Sequence, residues 1–382
     1  MDGPPIENGA IAIEDERVVD LGTFDEVSAR NSGELVDLGE SALIPGLINA
    51  HCHLDYTCLR EKIPPPTSFT EWVREIIAAK NALLPADYVK SITDGFAEAR
   101  RFGTTSIVNY EAFPELIIRL QPPIKTWWFA ELIDIRDPNR AENIVATAMN
   151  YLAQPANRGL APHALYTASF DLYRICQDNA RRYDWLLSTH LAESPDEYLM
   201  FHDGAGPLAE FVREIGGKEK KSSGSTPFAT LLAQIALDRR WLVVHMNELS
   251  ESDFDLLPDS TMEFHIVHCP RSHDYFGHSP FQYERLRQFD LNICLGTDSL
   301  ASNDDLSLFA EMREFARKFP GVAPEEILQM VTVNPARALQ QEDHIGRICL
   351  GGDVDLVSVP FSGRNVFEEI IAFTGEPGVT TC

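Results

Sequence analysis

The sequence predicts an α/β protein: a parallel (β/α)8 barrel with a small flanking β domain built from both chain ends. Three observations point there. Apolar runs of strand length alternate with amphipathic helical stretches through the middle of the chain. Such alternation makes a parallel sheet, because each return to the sheet needs a crossover helix. The two ends lack that rhythm and carry glycine-punctuated strand patterns instead. Polar residues able to hold a metal fall where the strand-like runs stop, the edge at which barrel active sites sit.

The barrel is expected over 43–344, and the flanking domain over 1–42 and 345–382. The eight strand candidates are 43–50, 105–109, 124–132, 159–165, 185–191, 241–246, 262–268 and 291–296. Helical patterns lie between them at 69–82, 88–102, 141–152, 172–182, 227–237 and 306–319. The helix after the seventh strand, near 281–289, is short. At the N-terminal end, GAIAIEDERVVDL (9–21) reads as two strands joined at an acidic turn. IGRICLGGDVDLVSVP (345–360) has the same character, so the two segments are expected to meet. This is the TIM-barrel architecture with an appendage, which suits a chain of 382 residues that is 44% hydrophobic.

The formal net charge is −26, and no lysine/arginine block stands out. Both features argue against a nucleic-acid partner. No run approaches the roughly 18 apolar residues of a membrane span. Seven cysteines are scattered without Cys-x-x-Cys spacing, which reads as reduced thiols in a cytoplasmic protein. Cys269 and Cys294 lie in apolar runs and read as core.

The most informative chemistry is His51-Cys52-His53, directly after a buried strand-like run. Strand side chains alternate, so His51 and His53 share a face and could grip one ion. His190 and Glu193 end the fifth strand, His245 the sixth and Asp298 the eighth. Imidazole and carboxylate suit zinc or ferrous iron.

These residues stand in PGLINAHCH (45–53), APHALYTAS (161–169), STHLAESPDE (188–197), VHCPRS (267–272) and LGTDSLASNDDLSLFAEM (295–312). In content and order the motifs resemble the amidohydrolase superfamily, in its cytosine/adenosine deaminase and chlorohydrolase branch. The resemblance implies that His51, His53, His190 and Asp298 bind one divalent metal, zinc first and iron as the alternative. It implies catalytic roles for Glu193 and His245, with Asp298 sharing the proton chemistry. The fourth strand carries His163 and no lysine to bridge two ions, so a single ion is expected.

A mononuclear metal-dependent deaminase is the function this implies. Metal-bound hydroxide would attack an aminated heterocycle and ammonia would leave. An adenosine-type nucleoside leads among substrates, such as aminofutalosine, adenosylhomocysteine or methylthioadenosine. The chain departs from the adenosylhomocysteine deaminases at two places. The acidic residue those enzymes use on the ribose diol is not evident in VREIIAAKNALL (73–84), and CPRSH (269–273) replaces a more usual Ser-Asn pair. Chloride, amide or ring C–N hydrolysis is the alternative reaction, and a non-catalytic binding barrel the alternative class. His163, His268, Arg271, Arg60 and Trp72 are candidates for substrate contact, and Asn303 for bracing the eighth loop. Relatives are often homodimers, so a homo-oligomer acting on a small molecule is expected.

Overall fold

The computed structural model describes residues 4–64, 66–217, 224–257 and 262–381. Its strands are β1 (Gly9–Glu14), β2 (Arg17–Thr23), β3 (Ser41–Pro45), β4 (Leu47–His53), β5 (Thr104–Glu111), β6 (Lys125–Leu132) and β7 (Arg158–Pro162). They continue as β8 (Leu186–Leu191), β9 (Trp241–His245), β10 (His265–His268), β11 (Asn292–Leu295), β12 (Asp298–Ser299), β13 (Leu356–Pro360) and β14 (Gly378–Thr380).

One sheet runs β11-β10-β9-β8-β7-β6-β5-β4-β12, with parallel neighbours throughout. β11 and β12 are two halves of one barrel strand, interrupted at Gly296 and Thr297. The first half pairs with β10. The second pairs with β4, Asp298 opposite Cys52 and Ser299 opposite His53, so the sheet closes on itself. At the seam the Gly296 N–H donates to the His268 carbonyl and the Thr297 N–H to the His51 carbonyl, each at 3.0 Å. A Cβ on Gly296 would lie 2.7 Å from that His51 oxygen, so the seam requires glycine.

Alternation sorts the core into two layers. On β9, Leu242 and Val244 point into the barrel interior with Ile48, Val108, Phe129 and Val267. Trp241 and Val243 point outward to the helix layer. Cys269 and Cys294 are buried in the interior layer. The expected helices are present as Phe69–Lys80, Pro85–Arg101, Ala141–Tyr151, Phe170–Tyr183, Pro227–Leu232 and Leu308–Lys318. Their starts are encoded locally: Ser68, Ser169, Thr226 and Ser307 each accept a backbone N–H at the N-cap. The sequence reading missed Pro195–His202 and Pro207–Glu214, each too short for its apolar period to stand out, though both open on proline.

The chain ends do meet. β3 pairs with β13, and β13 with β14, as an antiparallel sheet. The β1–β2 hairpin joins it through an Arg17–Asp353 ion pair and a small core of Val18, Val354 and Leu356. The stretch read as a single strand, 43–50, is divided at Gly46, so residues 43–45 pair with the small sheet and 47–50 with the barrel. The Gly46 N–H donates to the Asp355 carbonyl at 2.8 Å, and a side chain there would collide with Thr105. Among the described residues, no helix is long and apolar enough to cross a membrane.

Candidate metal centre and active site

The inward aim of His51 and His53 depends on a break in strand regularity. Ile48 and Ala50 face the barrel interior, so strict alternation would send Cys52 inward as well. Instead the β4–β5 register shifts between Asn49 and Cys52. A shift of this kind re-aims side chains. His51 and His53 turn into the barrel mouth, and Cys52 turns out to the helix layer, its Sγ 3.4 Å from the Val108 carbonyl.

The other groups are brought in by similar means. His190 continues the inward set of β8 after Leu186 and Ser188. His245 would point outward by alternation on β9, but its φ of 76° swings the ring over the mouth. Ala192 (φ 49°), Met246 (φ 50°) and Asp298 (φ 56°) share this left-handed backbone. Such conformations cost non-glycine residues about 1–3 kcal/mol each and gather at functional sites.

The donor atoms converge. His51, His53 and Asp298 each place a ligand atom within 4.8 Å of the others, as do His51, His190 and His245. His53 Nε2 and His190 Nε2 stand 3.3 Å apart, and His51 Nε2 lies 3.6 Å from Asp298 Oδ1. Two ligands of a tetrahedral zinc ion at ordinary bond lengths are about 3.3 Å apart, so the spacing fits one ion. Both ring nitrogens of His51 are buried without a hydrogen-bond partner, a state that an ion would relieve. His190 Nδ1 lies 3.0 Å from the His163 carbonyl. A carbonyl only accepts, so Nδ1 carries the proton and Nε2 keeps its lone pair. Asp298 is held by the Ser272 hydroxyl at 2.6 Å and the Ser299 N–H at 2.8 Å.

Electrostatics prepares the same groups. Burial, with His190 and His163 next, holds His51 well below the ordinary imidazole range. Burial likewise lowers His53 and His245, and brings His190 to about 4 and His163 to about 3. The rings are therefore neutral at pH 7, as metal ligation requires. Burial pushes Asp298 up, but His245, His53 and Ser272 outweigh it and the carboxyl ends below its usual value. Glu193 goes the other way: burial, then Asp298 and Glu197, raise it well above the carboxylic range. Its Oε1 lies 3.4 Å from His245 Nε2. The Glu193 loop is pinned by its own N–H to Glu197 at 2.8 Å and by Asn247 Nδ2 to its carbonyl at 3.0 Å.

A cavity of about 450 Å³ opens over these groups. His163 lines it, and Thr167 fixes the ring through His163 Nδ1 at 2.7 Å. Trp72 also lines it, and its Nε1–H donates to the Ala301 carbonyl at 3.3 Å. The remaining candidates for substrate contact sit elsewhere. Arg60 is ion-paired with Glu98. Arg271 is spent on Asp304 and Asp305, at 2.9 and 2.7 Å. His268 is buried against Phe281, ring centroids 3.9 Å apart. None of the three is among the cavity-lining residues. Local acids captured both arginines, which their positions in sequence could not reveal. Asn303 braces the eighth loop, donating to the Thr297 carbonyl at 2.8 Å and to Glu311 at 2.7 Å.

Sequence reading missed Glu131, Lys80 and Tyr56, all in the cavity wall. Glu131 was legible: it follows Trp127 and Phe129 at two-residue spacing, on the inward face of β6.

The closed parallel barrel carries its buried histidines and a carboxylate at the C-terminal mouth, where barrel active sites sit. The model of the amidohydrolase family matches residues 42–381. The chain belongs to the amidohydrolase family and is an amidohydrolase-type hydrolase. It is similar to the 5-methylthioadenosine/S-adenosylhomocysteine deaminase of Pyrococcus furiosus, 29% identical over 364 residues, covering 87% of this chain and 81% of the relative. Among solved structures, Helicobacter pylori aminofutalosine deaminase in complex with methylthio-coformycin aligns with a TM-score of 0.83 at 22% identity, covering 96% of this chain and 90% of that one. An adenosine deaminase from Xanthomonas campestris with bound zinc aligns with a TM-score of 0.79 at 24% identity, covering 98% and 87%.

Proposed function

We propose that this protein deaminates an adenosine-type nucleoside with the help of one divalent metal ion, zinc by preference. The observation that carries the reading is the meeting, in one cavity, of the His51–His53–His190–Asp298 donor set with the Glu193–His245 pair. The similarity to nucleoside deaminases supports the substrate class. A cavity of about 450 Å³ has room for a nucleoside.

A divalent ion held by His51, His53, His190 and Asp298 would supply a water acidified to a pKa of about 7. The rest is the work of the chain. Asp298, itself one of the donors, and His245 beside it take and hold the proton that the attacking water gives up. Glu193, kept protonated by burial, gives its proton to the ring nitrogen beside the attacked carbon. The C–N bond to the amino group then breaks, the amine leaves as ammonia with the proton held by Asp298 and His245, the added hydroxyl gives its remaining proton back to Glu193, and the ring keeps the oxygen as a carbonyl. Each acid–base step contributes about 10²–10⁴-fold.

The test is ammonia release from adenosine, methylthioadenosine, adenosylhomocysteine, cytosine and guanine, with chloride release from a chlorotriazine alongside. Deamination confined to the adenine nucleosides supports the reading. Chloride release without ammonia would transfer the site to the chlorohydrolase reaction.

A further inference from the structure

We propose that Glu131 is a substrate-binding residue that accepts hydrogen bonds from sugar hydroxyls and so selects a nucleoside over its free base. The inference rests on the adenosine-type reading above and adds a residue to it.

Glu131 ends β6 on the inward face, and its side chain is only 4% exposed. It lines the cavity, yet its Oε1 has no hydrogen-bond partner among the described residues. Buried carboxyl oxygens are rarely left so, because the lost hydration is costly. Two ring nitrogens face it, His53 Nδ1 and His163 Nε2, each at 3.9 Å. That is too long for a hydrogen bond.

His163 offers little relief. Thr167 Oγ1 fixes the ring through His163 Nδ1 at 2.7 Å. Whichever ring nitrogen carries the proton, His163 Nε2 stands 3.9 Å from Glu131 Oε1, beyond hydrogen-bond reach. Lys80 lines the same wall, but its ammonium is bonded to the Tyr56 hydroxyl and rests on that ring, 4.5 Å from the centroid. The gap between Glu131 and His163 therefore calls for a donor that none of the described residues provides.

An adenine nucleoside has few donors to offer. Its ring nitrogens accept, and its amino group belongs at the reacting carbon beside Glu193. The sugar hydroxyls remain. Glu131 stands on β6, two strands from β8, and is absent from the donor group of Glu193, His245 and Asp298, so it faces the cavity from the side of His53 and His163.

The experiment uses Glu131→Gln and Glu131→Ala. For wild type and both variants it compares kcat/KM for adenosine and 2′,3′-dideoxyadenosine, calorimetric binding of inosine and 2′,3′-dideoxyinosine, and metal content. Wild type is expected to favour the hydroxylated partner by about 10- to 100-fold in both measurements. Both variants lose most of that preference and keep the metal of wild type. Turnover of adenosine with a preference that survives in both variants overturns this inference alone. Loss of metal from Glu131→Gln also overturns it, because Glu131 would then serve to support His53. No turnover of any adenine nucleoside by wild type overturns the deaminase reading and this inference with it.

Discussion

His190 donates its Nδ1–H to the carbonyl oxygen of His163, 3.0 Å away. One bond thereby joins the ends of β7 and β8, fixes the His190 tautomer and leaves Nε2 facing His53 Nε2 at 3.3 Å. Two lone pairs that close repel unless a proton or a cation lies between them. His190→Ala should therefore purify without metal. Glu193→Gln should keep the metal and lose about 10²–10⁴-fold in kcat. Metal analysis beside steady-state kinetics checks both, and equal metal in the two variants would contradict the division of roles.

Ser272 holds Asp298 Oδ2 at 2.6 Å from outside the set of cavity-lining residues, its hydroxyl also 3.0 Å from that of Ser302. Ser272→Ala frees the carboxylate to rotate. The expected result is a loss of about 10- to 100-fold in metal affinity, read by competition with a chelator. Unchanged affinity would show that Ser299 and the seam hold Asp298 unaided.

Buried neutral imidazoles make the metal-free protein sensitive to acid. His190 sits at about 4, His163 at about 3 and His265 at about 4, all displaced downward first by burial. Between these values and the ordinary 6.5, the unfolded chain binds protons that the folded chain refuses, so stability rises with pH across that window. Urea midpoints of metal-stripped protein should fall from pH 7 to pH 5. His265→Asn, remote from the metal ligands, should make that fall shallower. A flat profile would mean the rings are already charged in the fold.

Gly46 marks where the chain leaves the small sheet for the barrel, and the Thr105 side chain occupies the space a Cβ would take. Gly46→Ala should cost about 1–3 kcal/mol, seen as a lower urea midpoint. Gly33, around which nothing lies within 4 Å, is the control, and Gly33→Ala should be close to neutral.

The alternation of apolar runs was enough to read the barrel, because eight buried parallel strands must be apolar and must be separated by helices. The strand-end histidines were legible for the same reason. Three of them reach the site by routes the residue pattern does not carry. His51 and His53 depend on the register shift after Asn49, and His245 on a left-handed backbone. Side chains whose partners are distant in sequence were the least legible. Arg60 and Arg271 are polar and near the motifs, but Glu98, Asp304 and Asp305 neutralise them. Glu131 obeyed the alternation rule and went unread because it stands outside every motif.

The central claim is that His51, His53, His190 and Asp298 hold one cation. X-ray absorption spectroscopy on the purified protein, with metal quantified per chain, tests it most directly. The account predicts one zinc or iron per chain, bound only by nitrogen and oxygen at about 2.0–2.2 Å. Two ions per chain, sulfur in the coordination shell, or a metal that persists when His51 and His53 are both replaced by alanine would contradict it.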